Sequence, residues 1–161
     1  MWHKPLVVID RQAARKSTVI YSLNAIVGRV ILVIYLDTAP LIYLVEHVPQ
    51  FGELVANRLS STDVIVVSEL SRLECRVKPL RDADTALLND FDRFFDESVS
   101  EVIALSHDVI EIATEIRARY GFKTPDAIHL AAAKTSNCEL FLTNDHRLDR
   151  FTGFRIETVA T

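Results

Sequence analysis

Hydrophobic runs and helical repeats alternate along the chain from Ile31 onward. Residues 31–36 form one continuous apolar run, which is typical of a strand buried on both faces of a parallel sheet. The same kind of pattern predicts four further strands, at residues 64–67, 99–104, 140–142 and 154–159. Strands that alternate with helices predict an α/β sandwich with a mainly parallel central sheet.

Six helices are expected alongside these strands, at residues 40–47, 51–59, 69–77, 82–95, 107–120 and 125–134. Ser106 and Thr124 are predicted N-caps, with Pro125 at the first position of the last helix. Pro79 should stop the third helix, because proline lacks a backbone N–H and clashes with the preceding turn. Gly121 should end the fifth helix, since glycine readily adopts the left-handed conformation found there.

The first 30 residues do not share this pattern. Residues 6–9 predict a short strand with no clear partner, and the chain holds a single Met, at position 1. We therefore expect two parts: residues 1–30 are an N-terminal appendage of uncertain order or a mis-assigned start, and residues 31–161 are one domain. In the case of a mis-assigned start, the natural chain begins near Val27 or Val30.

Composition narrows the class of protein. The chain has 161 residues, of which 49% are hydrophobic, so one domain with its own core is expected. No apolar stretch reaches the ~18 residues of a membrane span, and residues 10–18 are polar where a secretory signal needs an apolar segment. Cys75 and Cys138 form no C-x-x-C pair, which favours a reducing, cytoplasmic location.

Charge is distributed unevenly along the chain. The net charge is −4, but residues 1–30 carry +4 and residues 31–161 carry −8. An acidic domain binds nucleic acid poorly, because phosphate affinity normally comes from Lys and Arg. If this domain acts on RNA, it needs bound cations, local basic patches or both.

Four acidic residues are placed where α/β proteins build their sites. Asp37 directly follows the first predicted strand, and Asp145 lies three residues after the fourth. Glu74 lies two turns into the helix after the second strand, and Asp126 opens the helix that leads to the fourth. Sites in open α/β sheets form beyond the carboxyl ends of the strands.

Converging carboxylates would require a bound cation. Two carboxylates about 5 Å apart repel by roughly 3 kcal/mol at an effective dielectric constant of about 20. Oxygen ligands favour Mg²⁺ or Mn²⁺.

Each of these acids also has a purely structural explanation. Asp37 would cap the helix that follows it, and Asp145 would be an ordinary turn residue. Glu74 matches a capping-box pattern with Ser71, although Ser68 is the better N-cap. The helix dipole alone favours an acid such as Asp126 in a first turn.

Four segments carry a family resemblance: residues 33–43 (VIYLDTAPLIY), 67–74 (VSELSRLE), 124–133 (TPDAIHLAAA) and 142–145 (LTND). They resemble the motifs of the PIN domain, and in size and motif most closely the toxin ribonucleases of VapBC toxin–antitoxin pairs. The resemblance covers nearly all of the chain after residue 30. It implies a PIN-like α/β/α sandwich with the sheet order 3-2-1-4-5. It also implies hydrolysis of RNA phosphodiester bonds by metal-activated water, leaving a 5′-phosphate and a 3′-hydroxyl.

The resemblance implies a role for each acid. Asp37, Asp126 and Asp145 would be ligands of Mg²⁺, with Mn²⁺ as an alternative, and Glu74 would ligate the metal or orient its water. Three polar neighbours would hold these groups in place: Thr38 would hold Asp37, and Thr143 and Asn144 would position Asp145 or the metal-bound water.

Other polar residues near the motifs have open assignments. Glu69 and Glu74 lie about 140° apart on one helix and cannot both face one site, and Glu74 keeps the family's spacing from Ser68. His129 lies three residues after Asp126 and is expected to pack at a helix surface, with RNA contact or proton transfer as the alternative. Four basic residues are candidate RNA contacts: Arg72, Arg76, Lys123 and Arg147.

The resemblance further implies an RNA substrate, a cognate antitoxin bound over the active site, and a homodimer. A PIN nuclease in general RNA processing and a non-catalytic PIN scaffold are the alternatives. A phosphatase of the haloacid dehalogenase type would need a second Asp two residues after Asp37, and a receiver domain would need an acidic pair near the first strand. The sequence has neither feature.

Overall fold

The apolar runs of the sequence form a five-stranded sheet in the computed structural model, which describes residues 31–159. The strands are β1 (Val33–Leu36), β2 (Val64–Ser68), β3 (Glu101–Ile103), β4 (Leu140–Thr143) and β5 (Arg155–Thr158). All neighbours pair in parallel, in the order β3-β2-β1-β4-β5, so the expected sheet and its order are confirmed. The strand predicted at residues 6–9 and the expected appendage of residues 1–30 lie outside the described residues.

Six α-helices lie within residues 31–159: α1 (Thr38–Val45), α2 (Phe51–Arg58), α3 (Glu69–Arg81), α4 (Thr85–Glu97), α5 (His107–Tyr120) and α6 (Thr124–Thr135). A 3-10 helix, His146–Arg150, connects β4 to β5. Within the same range, none of the helices combines the length and the apolar composition needed to cross a membrane.

One face of the sheet packs against α1, α3 and α4. Consecutive residues of a strand point to opposite faces, so Ile34 and Leu36 of β1 enter the same core. There they join Leu41 of α1, Cys75 of α3 and Phe91 of α4. This core fixes α3 against the sheet and therefore fixes every side chain that α3 carries.

The opposite face is covered by α5 and α6. Tyr35 of β1 is fully buried on this face and stacks on Phe141 of β4, with ring centroids 5.1 Å apart. Ala131, Ala132 and Ala133 of α6 have no exposed surface, because their small side chains let the helix lie close to the sheet. Helices on both faces make the three layers of the expected α/β/α sandwich.

The end of α3 differs from the prediction. The helix continues through Pro79 to Arg81, so the predicted stop at the proline was wrong. Proline removes one hydrogen bond near the end of the helix. The final turn is still closed, because the backbone N–H of Asp82 donates to the carbonyl of Lys78 at 3.0 Å.

Three helix starts also differ from the prediction. α4 begins at Thr85 rather than Asp82, with Asp84 as its N-cap. The N-cap of α6 is Lys123 rather than Thr124, and it makes no side-chain capping bond, so the predicted cap was wrong. α1 begins at Thr38 rather than Pro40, with Asp37 as its N-cap. A cap needs only an acceptor next to the first free N–H groups, and the extended residue after β1 already supplies one.

Candidate functional site

The site begins where β1 ends, at the carboxyl edge of the sheet. Asp37 follows Leu36 directly, and its backbone N–H donates to the carbonyl of Leu142 in β4 at 2.9 Å. One carboxylate oxygen accepts from the backbone N–H of Thr38 at 2.8 Å, and the other accepts from the Thr143 hydroxyl at 2.7 Å. Asp37 therefore caps α1 and is also tied to the end of β4.

Glu74 reaches the same edge from α3, whose start is fixed by a buried cap. Ser68 ends β2, and its hydroxyl accepts from the backbone N–H of Ser71 at 3.4 Å. Two turns later, Glu74 Oε2 accepts hydrogen bonds from the Thr38 hydroxyl and from Nε2 of His129, the latter at 3.0 Å. These contacts join α1, α3 and α6 at one point.

The carboxyl of Glu74 is stabilised in its ionised form. Burial raises its pKa, but hydrogen bonds from His129 and Thr38 lower the pKa by more, so it lies below its usual value. Glu69 is exposed in the first turn of α3 and points about 140° away. The structure therefore brings Glu74, and not Glu69, to the edge of the sheet.

His129 lies in surroundings that the sequence reasoning missed. Only 3% of the residue is exposed, so the expected packing at a helix surface was wrong. Its Nδ1 lies 2.9 Å from the Tyr35 hydroxyl, and its Nε2 lies 3.8 Å from Oδ1 of Asp37. Burial lowers its pKa, but Glu74 and the charge of Asp37 raise the pKa by more. The sequence signal was the run AIHLAAA at residues 127–133, because a helix that is apolar on nearly all sides is usually buried.

Asp126, in the first turn of α6, lies in the electrostatic field of the other aspartates. Its pKa is raised first by burial and then by the negative charges of Asp145 and Asp37, while Arg147 opposes the rise. Water and salt screen distant charges, so the aspartates that act on Asp126 belong to the same neighbourhood. Three aspartates from three separate elements therefore lie near one edge of the sheet.

Asp145 is already paired with a cation of its own chain. Its two carboxylate oxygens accept from Nε of Arg147 at 2.8 and 2.9 Å, and a second guanidinium nitrogen also contacts it. This pairing lowers the pKa of Asp145, with a smaller contribution from Lys123. The backbone N–H of Asp145 donates to the Thr143 hydroxyl at 3.1 Å, which ties it to Asp37 through one side chain.

Two of the three predicted positioning residues contact different partners from those expected. The Thr38 hydroxyl donates to Glu74 rather than to Asp37. The Asn144 amide nitrogen donates to the Tyr43 hydroxyl at 2.6 Å. The amide oxygen of Asn144 is buried and has no hydrogen-bond partner among residues 31–159. This unpaired acceptor belongs to the residue that directly follows β4 and precedes Asp145.

Two of the four basic candidates for RNA contact lie away from the acids. Arg76 donates to Asp92 of α4 at 2.8 Å, and the Arg72 guanidinium lies 5.4 Å from the centre of the Phe95 ring. Both arginines are two residues from Glu74, which is a rotation of about 200° on a helix. They therefore occupy the face of α3 opposite to Glu74, and only Lys123 and Arg147 remain near the site.

The donor set fits a hard divalent cation. No three His, Cys, Asp or Glu side chains in the described part of the chain are already arranged to hold a metal ion. The donors near the edge are carboxylate oxygens and the unpaired amide oxygen of Asn144, and such oxygens are the ligands that Mg²⁺ and Mn²⁺ prefer. The raised pKa of Asp126 reflects negative charge that a cation would neutralise. Rotation of the exposed Arg147 side chain would free Asp145.

Comparisons with known proteins give a family and a fold. The model of the PIN domain matches residues 34–153. The VapBC2 structure from Rickettsia felis, bound to a DNA fragment from its promoter, is similar with a TM-score of 0.65 and 17% identity, covering 79% of this chain and 98% of that one. A toxin–antitoxin complex from Klebsiella pneumoniae has a TM-score of 0.62 and 20% identity, covering 78% and 97%. VapC20 of Mycobacterium tuberculosis, a toxin that cleaves the sarcin-ricin loop, has a TM-score of 0.59 and 18% identity, covering 76% and 98%. The search of curated proteins finds no match.

Proposed function

This chain belongs to the PIN-domain family, and on that premise we propose that it is a metal-dependent endoribonuclease that hydrolyses RNA phosphodiester bonds. Three aspartates at one sheet edge, with the pKa of Asp126 raised in part by Asp145 and Asp37, carry this proposal. An arrangement that concentrates negative charge at the carboxyl ends of parallel strands destabilises the fold, so it is better explained by a binding site than by packing.

The cofactor we propose is Mg²⁺, with Mn²⁺ as a substitute. Asp37, Asp126, Asp145 and Glu74 would hold it, directly or through water, and the free oxygen of Asn144 would complete the ligands. A cation at this point would also allow an acidic domain to bind a polyanion, because it links carboxylates to phosphate oxygens.

Each acid is prepared for its proposed role by its own neighbours. When bound, the divalent ion would polarise the scissile phosphate and lower the pKa of a water molecule. Asp37 is held by Thr38 and Thr143, so its carboxylate would keep one orientation while ligands exchange. Glu74 remains ionised because His129 and Thr38 donate to it, so it would orient the attacking water or accept its proton.

Two basic side chains would bind the phosphates that flank the cut. Arg147 is exposed and paired with Asp145, and Lys123 precedes the first turn that holds Asp126. If a divalent ion displaced Arg147 from Asp145, the guanidinium would be free to form paired hydrogen bonds with a phosphate. We therefore retain Lys123 and Arg147 as RNA contacts and set Arg72 and Arg76 aside.

We propose further that this nuclease is the toxin of a toxin–antitoxin pair. The similar structures come from such systems, and the toxin from Mycobacterium tuberculosis cleaves the sarcin-ricin loop. An antitoxin that inserts Arg or Lys at the acidic edge would compete with the metal and would be electrostatically complementary to the domain. A homodimer is the expected assembly of the toxin.

Cleavage of total RNA by the chelator-stripped protein, with Mg²⁺ or Mn²⁺ restored, tests the proposal. The matched variant is Asp37→Asn, because asparagine is also a good N-cap and α1 should keep its start. We expect wild-type cleavage only with metal, and cleavage by the variant lower by about 100-fold or more, as when one group that stabilises transition-state charge is removed.

The control variant is Glu111→Gln, on an exposed position of α5, which should cleave like the wild type. Cleavage that continues in excess chelator, or equal cleavage by Asp37→Asn, would refute the metal-dependent mechanism. Intact RNA with every metal, from folded protein freed of any partner, would favour a binding scaffold over an enzyme.

A further inference from the structure

A buried row of hydrogen bonds runs from the middle of the sheet to the candidate site. Tyr35 contacts Nδ1 of His129 at 2.9 Å, and Nε2 of His129 contacts Glu74 at 3.0 Å. We propose that His129 is a positioning residue, which donates its Nε2–H to Glu74 and is itself held in orientation by the Tyr35 hydroxyl. This inference rests on the proposed function for its consequence, because the group that it positions is a proposed metal ligand.

The donors and acceptors in this row allow one arrangement of protons in the neutral ring. An ionised carboxylate only accepts, so the hydrogen between His129 and Glu74 belongs to Nε2. A neutral imidazole has one donor and one acceptor, so Nδ1 must accept from the Tyr35 hydroxyl. The nearby Ser68 and Ser71 side chains lower the pKa of Tyr35, although by less than burial raises it. Burial raises the pKa of Tyr35, so its hydroxyl keeps the proton that it donates.

Both inner members of the row are rigid. Tyr35 is fully buried in the central strand and stacks on Phe141 with an angle of 5° between the rings. His129 is 3% exposed, and its neighbour Leu130 is fully buried, so the imidazole has no room to turn. Packing in the core therefore fixes the direction in which Nε2 of His129 points.

Glu74, the outermost residue of the row, needs the hydrogen bond from His129 to hold one orientation. The side chain of Glu74 is 30% exposed, and its own carbon chain has three rotatable bonds. Its other described partner is the Thr38 hydroxyl, which lies at the rim of the same site. Loss of a group that hydrogen-bonds to a metal ligand typically lowers metal affinity or activity by about 10–100-fold.

The proton positions are tested first, on the full metal-free chain at pH 8.5, by NMR of ¹⁵N-labelled histidine rings. His129→Gln identifies the His129 signals by their loss. We expect Nε2 to carry the proton and Nδ1 to carry none, and Tyr35→Phe should produce a population with the proton on Nδ1. A wild-type ring protonated at Nδ1, or a Tyr35→Phe spectrum identical to the wild type, would overturn the proposal.

The consequence is tested by the affinity for Mn²⁺, measured by calorimetry rather than by cleavage. His129→Met fills the space without a donor, and affinity should fall by about tenfold. Glutamine places an amide N–H close to the position of Nε2, so His129→Gln should stay within about threefold of the wild type. Thermal unfolding of both variants verifies that they are folded.

Equal losses of affinity in the two variants would show that His129 only fills space, and would refute positioning. If the wild type itself binds no Mn²⁺, the proposed function fails, whereas the ring spectra still decide whether His129 orients Glu74. Tyr35→Phe removes a single hydroxyl from the core, so it provides the same spectral test if the His129 variants do not fold.

Discussion

At Asp126, the negative charges of the candidate site lower the stability of the fold. Its pKa is raised by burial and by the charges of Asp145 and Asp37, so the folded chain holds this proton more tightly than the unfolded chain does. The ionised carboxylate therefore destabilises the fold above its folded pKa, and the penalty disappears below the usual range of an aspartate. We expect Asp126→Asn to unfold at a higher temperature than the wild type at pH 7.5 without metal, by an amount that shrinks at pH 4.5.

Calorimetric unfolding at the two pH values measures this difference. Glu111→Gln is the control, because it removes one carboxylate from an exposed position of α5 and leaves the acidic edge intact. A variant Asp126→Asn that is less stable than the wild type at pH 7.5 would show that Asp126 acts as a helix-start residue only. The gain in stability should accompany a loss of metal-dependent cleavage, since stability and activity are often opposed at such sites.

The four acids could be found in the sequence, but their partners could not. Asp37 and Asp145 follow apolar runs, and that placement is visible without coordinates. The pairing of Glu74 with His129 spans 55 residues and depends on how α3 and α6 pack on the sheet. Nothing in the local sequence around Arg147 shows that its side chain folds back on Asp145, because a rotamer choice decides it.

At the scale of elements, the start of α3 decides where Glu74 lies. Ser68 is fully buried, ends β2 and caps α3, so strand and helix share one anchor. We expect Ser68→Ala to lose about 1–2 kcal/mol of folding stability, as for other lost N-caps. We also expect its affinity for Mn²⁺ to fall by at least about threefold, because a displaced helix start moves Glu74, the proposed ligand two turns later.

Ser106→Ala is the matched control for this change. Ser106 caps α5 in the same way, with its hydroxyl accepting from the backbone N–H of Val109 at 3.3 Å. α5 carries none of the four acids, so its variant should lose about 1 kcal/mol of stability and no affinity. Denaturant unfolding and calorimetric Mn²⁺ binding separate the two effects. Equal affinities in the two variants would mean that the cap of α3 does not position Glu74.

Strands were easier to predict from the sequence than helix ends. The runs at residues 31–36 and 64–67 are apolar because both faces of a parallel sheet are covered. A continuous apolar run therefore indicates a strand of a parallel sheet. Helix ends depend on whether particular backbone groups find partners. Pro79 was expected to stop α3, yet the tertiary structure closes one more turn beyond it. Lys123 caps α6 without a side-chain bond, which no capping rule predicts.

At the scale of the whole molecule, the parallel topology of the sheet explains why negative charge collects at one edge. Parallel strands place all their carboxyl ends at one edge, so acids that follow β1 and β4 meet although 108 residues separate Asp37 from Asp145 in the chain. Residues 31–161 carry −8, and part of that charge is concentrated at this edge. A cation bound there would relieve the repulsion and would stabilise the folded chain as a whole.

Metal should therefore raise the unfolding temperature of the protein. A ligand that binds only the folded chain stabilises it by about 2.7 kcal/mol at 100 times its Kd, which is a shift of about 5–10 °C for a chain of this size. We expect Mn²⁺ to produce this shift in the wild type by scanning calorimetry, and KCl at equal ionic strength to produce much less, because screening alone does not bridge the carboxylates. Asp37→Asn keeps its cap and should lose most of the shift. The same rise in both proteins would mean that Mn²⁺ binds somewhere other than the sheet edge, since only a site that includes Asp37 can distinguish them.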